Sequence, residues 1–534
     1  MDAHPDPLAS DDDAPVPGPV LHQGYAAAVP ELSLPIAAAE PPAPAIAWLN
    51  EELARELGYD PAWLRGPAGI SLLTGRVDAQ GRPLSDEAET PAEPFTTAQA
   101  YAGHQFGRPN PQLGDGRALL LGDLLDTHGQ RRDLHLKGSG RTPFARAADG
   151  KAPLGPMLRE AVIGEAMHAA GIPTTRALAV LTTRERIAPR RGVTPEPGAL
   201  LVRVAASHLR VGTVQFAAWH HDRDVREALL AHTLERHHPA AAGAQNPALA
   251  LLTAVRDAQA ELVAAWMGAG FVHGVMNTDN MTLSGEGIDY GPCAYLDRHR
   301  PGAVFSSIDA QGRYAYANQP GIALWNLSRL GEALLDLIDA EDPESAVARA
   351  TAVLEGFEPR YREAFAAVMA CKLGIPLHRP EAGAEVEVLT ADLFALMEAH
   401  GLDHTGTFRT LTDDGADGVR ALVSAAAGDA SAAGGASDLE AWLDRWEALR
   451  ERTGVGRDPG LHAHLQAEME QANPRVIPRN QHLEAVLRAA ELGDLAPVHA
   501  FLEAVRRPGK VPPDHPEWIG PGEGGEDFLT FCGT

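Results

Sequence analysis

Apolar and polar residues follow two rhythms along this chain, and the rhythm changes near residue 225. Before it, short apolar-rich stretches predict strands at 118–125, 132–137, 176–182 and 200–205. In the second of these, Leu134 and Leu136 alternate with polar neighbours, as a half-buried strand requires. Between the second and third, 154–170 has helical spacing and stops at Gly171, with Pro173 behind it. After the change, helical periods dominate at 247–269, 324–338 and 346–374. Helical spacing also occurs early, at 45–57, and late, at 439–452 and 482–507. Residues 1–44 are rich in Pro, Ala and Asp and predict disorder at the start. Residues 73–94 read as a polar loop and 425–437 as an Ala/Gly/Ser linker. There is no internal repeat. The pattern predicts an α+β fold in four parts: an N-terminal extension (1–95), a strand-rich lobe (96–215), a helical lobe (216–424), and a linker with a helical tail (425–534).

Composition narrows the function classes. The 534 residues carry 45 basic and 72 acidic side chains, a net charge of −27, which argues against nucleic acid or an anionic membrane as partner. Lys137, Lys151, Lys372 and Lys510 are the only lysines, so 41 of the basic residues are arginine. A chain that uses lysine so rarely draws attention to each one. Cys293, Cys371 and Cys532 contain no CxxC pair and exclude a disulfide-rich scaffold or a zinc ribbon. The start lacks a basic and an apolar signal region, and no apolar run approaches ~20 residues, so the expected location is the cytoplasm.

The chemistry concentrates in FVHGVMNTDNMTLSGEGIDYGPCAYLD (271–297), where Asp279, Asn280 and Asp289 offer three hard oxygen donors within eleven positions. One carboxylate to take a proton, and an amide with a second carboxylate to hold a divalent cation, suit chemistry on a nucleotide phosphate. Upstream, Lys137 ends a strand and Glu160 lies on the following helix, an order in which a lysine pairs with phosphates and a glutamate steadies it. An exposed strand-end lysine is the plain alternative. Glu165 shares the helix but lies roughly 140° round it. Gly114-Asp115-Gly116-Arg117 reads either as a tight loop over phosphates or as a simple turn, and Asp149-Gly150 as a turn. Arg203, inside an apolar strand, is either in a buried ion pair or facing a ligand; Arg210 follows seven residues on. The paired histidines at 220–221 and 237–238, with His462 and His464, lack partners at zinc spacing, so no transition metal is assigned.

Several long runs carry a resemblance: YAGHQFGRPNPQLGDGRALLLGDLLD (101–126), DLHLKGSGRTPFARAADGKAPLGPMLREAVIGEAMHAAGIPTTRAL (133–178), LVRVAASHLRVGTVQF (201–216), FVHGVMNTDNMTLSGEGIDYGP (271–292), YANQPGIALWNLSRL (316–330) and NPRVIPRNQHLEAVL (473–487). Through them the chain resembles the selenoprotein O family, also called YdiU-like proteins. The resemblance implies a protein-kinase-like two-lobed fold with extensions at both ends, and protein adenylyltransferase activity. By position, it implies that Asp279 accepts the proton and that Asn280 and Asp289 hold Mg²⁺ or Mn²⁺. It makes Lys137 the phosphate-pairing lysine and Glu160 its partner, and Gly114, Gly116, Arg117, Asp149, Gly150, Arg203 and Arg210 the remaining nucleotide contacts, with Asp289. ATP would bind reversed relative to ordinary kinases, so that AMP is transferred. The kinase HRDxxxxN spacing is absent: His273 lies six residues before Asp279, which directly abuts Asn280.

In some family members the cysteine near the end is selenocysteine; here it is Cys532, and a reversible Cys293–Cys532 disulfide is the expected redox device, with two unrelated cysteines as the alternative. The expected partners are ATP (or UTP) and proteins carrying Ser, Thr or Tyr hydroxyls, with the chain as a monomer. The readings held against this are a kinase transferring the γ-phosphate to a protein or small molecule, and an inactive nucleotide-binding scaffold.

Overall fold

The computed structural model describes residues 18–85, 88, 91–146, 148–188, 194–377, 380–427, 432–522 and 528–530. Its centre is an eight-stranded antiparallel sheet. The order is Ser33–Pro35, Thr97–Gln99, Ala118–Leu125, Arg131–Lys137, Glu196–Ala205, Arg176–Ile187 and Ala45–Leu49, with Ala152–Pro153 pairing onto Glu196–Ala205. Side chains alternate across a sheet, so register decides what each face carries. Lys137 lies opposite Leu201 and His135 opposite Arg203, which puts His135, Lys137 and Arg203 on one face. Leu134, Leu136, Val202 and Val204 point to the other, into a core closed by Leu53, Leu57, Leu64, Leu72 and Leu73.

The face carrying Lys137 is covered by the helix Leu154–Ala169, which begins after Pro153 and ends where Gly171 turns left-handed (φ 72°). Behind this helix a second core runs through the helices Val211–His220, Pro247–Ala269 and Gln319–Ile338, and on to Asn480–Glu491 and Ala496–Arg506. The boundaries of Pro247–Ala269 have local causes. Asn246 caps the Leu249 N–H at 3.0 Å, proline occupies the first turn, and Gly270 closes the end at φ 68°. A third, purely helical core, containing Leu393, Phe408, Trp442 and Met469, lies within residues 369–469. The molecule is thus mixed helix and sheet, and no helix among the described residues is long and apolar enough to cross a membrane.

Four expectations need correction. Residues 45–57 are not one helix: Ala45–Leu49 is an edge strand on Arg176–Ile187, and Asn50 then caps the helix Glu51–Glu56 through Leu53 N. The AIAWL run carries β-branched and aromatic residues that fit a pleated surface, so tertiary pairing overrides helical spacing. The predicted disorder in 1–44 does not extend over 18–44. Gly24 N donates to Asp123 Oδ2, Tyr25 is buried, and Ser33–Pro35 joins the sheet edge; residues 1–17 lie outside the described set. The 346–374 helix is two, Pro343–Glu355 and Phe357–Leu373, broken at Gly356. The 425–437 linker lies largely within the helices His404–Ala427 and Ala432–Arg452, since alanine favours helix more than low complexity opposes it; 428–431 are outside the described residues.

Candidate active site

Where the strand Arg131–Lys137 ends, Lys137 enters a buried ion cluster. Its Nζ donates to Glu160 Oε2 and to Asp289 Oδ1, both at 2.7 Å. Arg203 Nε donates to Glu160 Oε1 at 2.6 Å, and its Nη2 to Asp289 Oδ1 at 2.5 Å. Arg210 Nη1 donates to the Asp279 carbonyl at 3.2 Å and stands 3.7 Å from Asp289 Oδ2, with its guanidinium 4.4 Å over the Tyr101 ring. Three cations thus face Glu160 and Asp289, and the buried Asp115 carboxylate also acts on Arg210. Ammonium and guanidinium groups gathered this way are the donors that phosphate oxygens take. Glu165 serves another wall, where it accepts from Arg176 at 3.0 and 2.8 Å.

Asp289 reaches this position from a left-handed backbone (φ 62°), a conformation that non-glycine residues adopt at a cost and that the three cations hold in place. Burial alone would push its carboxyl up; Arg203, Lys137 and Arg210 outweigh that and hold it well below the usual carboxylate range. The helix carrying Glu160 is tied to the segment after Asp289 by its neighbour Arg159. Arg159 Nε donates to Gly291 O at 3.0 Å, Nη2 to Cys293 O at 2.7 Å, and Nη1 to Glu484 of the Asn480–Glu491 helix at 2.8 Å.

The glycine-rich turns lie around the same strand end. Gly138 N donates to the Arg117 carbonyl at 2.7 Å, which places the 114–117 loop beside Lys137. Gly114 is left-handed (φ 92°), and a Cβ there would stand 2.5 Å from the Phe144 ring. Gly150 packs against Gly140, whose N donates to the Gly150 carbonyl at 3.1 Å. Asp149 is exposed, and its Oδ1 accepts from Lys151 N at 3.0 Å; that contact shapes a turn and does not join the ion cluster.

Asp279 sits on a one-turn 3-10 helix, Thr278–Asn280, in a different environment. It is buried, its Oδ1 has no hydrogen-bond partner among the described residues, and its Oδ2 is 3.5 Å from Gln105 Nε2. Burial pushes its carboxyl up to about 6. Asn280 is half-buried, and its Nδ2 donates to Val275 O at 3.0 Å. Oxygens of the Asp289 carboxylate and the Asn280 amide are the donor types a hard divalent cation takes, and the orphaned Asp279 Oδ1 would gain from a cation or its water. Among the described residues no three His, Cys, Asp or Glu side chains form a metal-holding group.

Sequence reasoning missed several neighbours. His135 stacks on His208 with ring centroids 4.1 Å apart, and His135 Nε2 is 3.0 Å from Asp115 Oδ2. His135 Nδ1 and His208 Nε2 are buried without partners among the described residues. The strand alternation that displays Lys137 also displays His135, so that signal was present; His208 needed the fold. Also missed was the hairpin of Gly103–Gln105 and Arg108–Asn110, which lies over the Asp279 turn. His104 N donates to Thr278 Oγ1 at 2.6 Å, and Phe106 N to Asn277 Oδ1 at 3.0 Å.

Cys293 is buried, and burial pushes its thiol up to about 12. Cys532 lies outside the described residues. Thr530, two positions earlier, donates from Oγ1 to Pro292 O at 2.8 Å, immediately before Cys293.

A family model described as protein adenylyltransferase SelO matches residues 23–506. A protein nucleotidyltransferase YdiU of Pseudarthrobacter chlorophenolicus is 49% identical over 96% of this chain and 97% of its own length. That of Chromobacterium violaceum is 48% identical over 95% of this chain and all of its own, and that of Cereibacter sphaeroides 50% identical over 93% and 96%. Similarity of this depth over nearly the whole length means that the chain belongs to the SelO family of protein adenylyltransferases.

Proposed function

We propose that this enzyme transfers AMP from ATP, or UMP from UTP, to Ser, Thr or Tyr hydroxyls of proteins, in a protein-kinase-like cleft between the strand-rich residues 96–215 and the helical residues 216–424. The observation that carries the reading is the split between two neighbouring carboxylates. Asp289 accepts from Lys137 and Arg203 with Arg210 beside it, while Asp279 Oδ1 is buried with no hydrogen-bond partner among the described residues, and burial pushes that carboxyl up to about 6. A group titrating just below neutral pH is suited to take a proton at working pH.

In the transfer, the acceptor oxygen forms a bond to the α-phosphorus as the bond to the bridging oxygen breaks. Pyrophosphate leaves with the electron pair, and the hydroxyl proton passes to an Asp279 oxygen. Lys137, Arg203 and Arg210 meet the charge that gathers on the departing pyrophosphate, and the 114–117 and 149–150 turns border the nucleotide. Glu160 positions Lys137 and Arg203 and touches no substrate. Mg²⁺ or Mn²⁺ held by Asn280 and Asp289 would neutralise phosphate charge when bound.

A second proposal concerns regulation. The Thr530–Pro292 bond supports a reversible Cys293–Cys532 disulfide. Each thiol would lose a proton and an electron to a disulfide oxidant, and the bond would restrain the segment following Asp289. Equal activity and equal thiol counts with and without reductant would refute it.

ATP labelled at the α- or the γ-phosphate tests the main reading. Retention of α-label alone on protein acceptors is expected. Retention of γ-label alone would make the enzyme a kinase, and retention of neither an inactive nucleotide-binding scaffold.

A further inference from the structure

We propose that the hairpin Gly103–Asn110 and the adjoining Arg313–Trp325–Arg329 ladder form the docking surface for the acceptor protein, and that this surface selects segments carrying carboxylates beside the hydroxyl to be modified. The proposal rests on the nucleotidyl-transfer reading and names its acceptor class.

Geometry makes the hairpin unavoidable. A Cβ on Gly103 would lie 2.6 Å from Asp279 Oδ1, so the hairpin backbone covers the oxygen that would take the proton. Whatever brings a hydroxyl to Asp279 must touch or displace this element. A buried network fixes its inner side: Thr278 Oγ1 donates to Gln215 Oε1 at 2.8 Å, and Gln215 Nε2 lies 2.9 Å from His104 Nδ1. The outer side carries Arg108, which is exposed.

Beside the hairpin, Trp325 is held between two guanidinium groups, Arg313 at 4.8 Å and Arg329 at 5.0 Å from its ring centre. His104 stands edge-on to Trp325 and to Trp219, which is 41% exposed. The nearby acidic groups are already engaged. Asp309 accepts from Arg313 N and Tyr314 N, and Glu332 pairs with Arg329 at 2.7 Å. Among the described residues neither Arg108 nor Arg313 forms an ion pair with a carboxylate, and Arg313 Nε is buried without a hydrogen-bond partner. Most arginines in the cleft answer an acid of this chain; these two do not. Arg313, lying over the Trp325 indole without an acid of its own, and the exposed Arg108 on the neighbouring hairpin suit a partner's carboxylates and adjacent apolar or aromatic groups.

The opposite expectation follows from the net charge of −27, which by itself would draw basic partners. At physiological ionic strength charges more than about 8 Å apart are largely screened, so the local rim decides. Two acceptor probes separate these outcomes, a random Glu–Tyr copolymer and a random Lys–Tyr copolymer. Each is incubated with the full-length enzyme and α-labelled ATP, and its binding is followed by fluorescence anisotropy. The Glu–Tyr copolymer should take about tenfold more label and bind more tightly. In Arg108→Ala its KM should rise several-fold while kcat and the KM for ATP stay unchanged. Arg313→Gln should do the same, and the exposed Arg108 variant keeps the test valid if that one folds poorly. Equal or inverted preference, or an unchanged KM in Arg108→Ala, would overturn the docking surface. If neither copolymer takes α-label yet Glu–Tyr binds and Arg108→Ala weakens that binding, the docking surface stands and the transfer reading fails.

Discussion

Two neighbouring regions of the site bury the same residue type to opposite effect. At the end of the strand Arg131–Lys137, Lys137, Arg203 and Arg210 surround Glu160 and Asp289 so that both carboxyls are held down as anions against the cost of burial. On the neighbouring turn Thr278–Asn280, Asp279 is also buried, but among the described residues Gln105 is the one side chain hydrogen-bonded to it, and its carboxyl rises to about 6. The contrast shows that burial does not set a role; pairing does. Cations packed around a buried carboxylate keep it ionised, whereas a buried carboxylate without an ion-pair partner shifts towards its protonated form.

The strongest way to break this comparison is to remove the orphan. Asp279→Ala should lower α-label transfer by about 10²–10⁴-fold, the range of a general base, with ATP binding by calorimetry largely kept. Lys137→Ala should lose transfer to a similar degree and weaken ATP binding as well. Retained transfer in either variant removes its assigned role.

Next comes stability. Glu160→Gln leaves Arg203 and Lys137 short of a buried counter-charge and should cost about 3–5 kcal/mol in denaturant melts. Glu165→Gln should also destabilise, through Arg176, yet leave Lys137 paired and transfer largely intact in the folded fraction.

Asp279→Asn should act in the other direction. A carboxyl raised from 3.8 to about 6 penalises folding above pH 6, and the penalty fades as pH falls through 6 towards 4. At neutral pH the variant should therefore be more stable by up to about 3 kcal/mol, with the gain vanishing near pH 4. The same shift predicts that kcat/KM rises about tenfold per pH unit below 6 and levels above it. A flat profile between pH 5 and about 7 would separate Asp279 from the proton transfer.

The smallest effect concerns the loop beside Lys137. Gly114→Ala places a methyl against Phe144 at a left-handed position and should raise the KM for ATP several-fold, with little change in kcat.

Much of this frame was legible in local patterns. Alternation located the strand ending at Lys137, and helical spacing at 247–269 located the helix that leads towards the Asp279 turn. What escaped depends on contacts far apart in sequence. Ala45–Leu49 is a strand only because Arg176–Ile187 lies beside it, and Arg203 resolves as an ion pair only once Glu160 and Asp289 arrive. The hairpin over Asp279 was hidden for the same reason: His104 and Phe106 declare their purpose only against Thr278 and Asn277, about 170 positions away. Arg203 could be singled out as a cation inside an apolar strand, but which acids it would answer was not local information.

The central claim is tested most directly by incubating wild-type enzyme and Asp279→Ala with protein acceptors and ATP labelled at the α- or the γ-phosphate. The account requires α-label on protein from wild type, almost none from Asp279→Ala, and no γ-label from either. Stable γ-label, or undiminished α-label without Asp279, would contradict it.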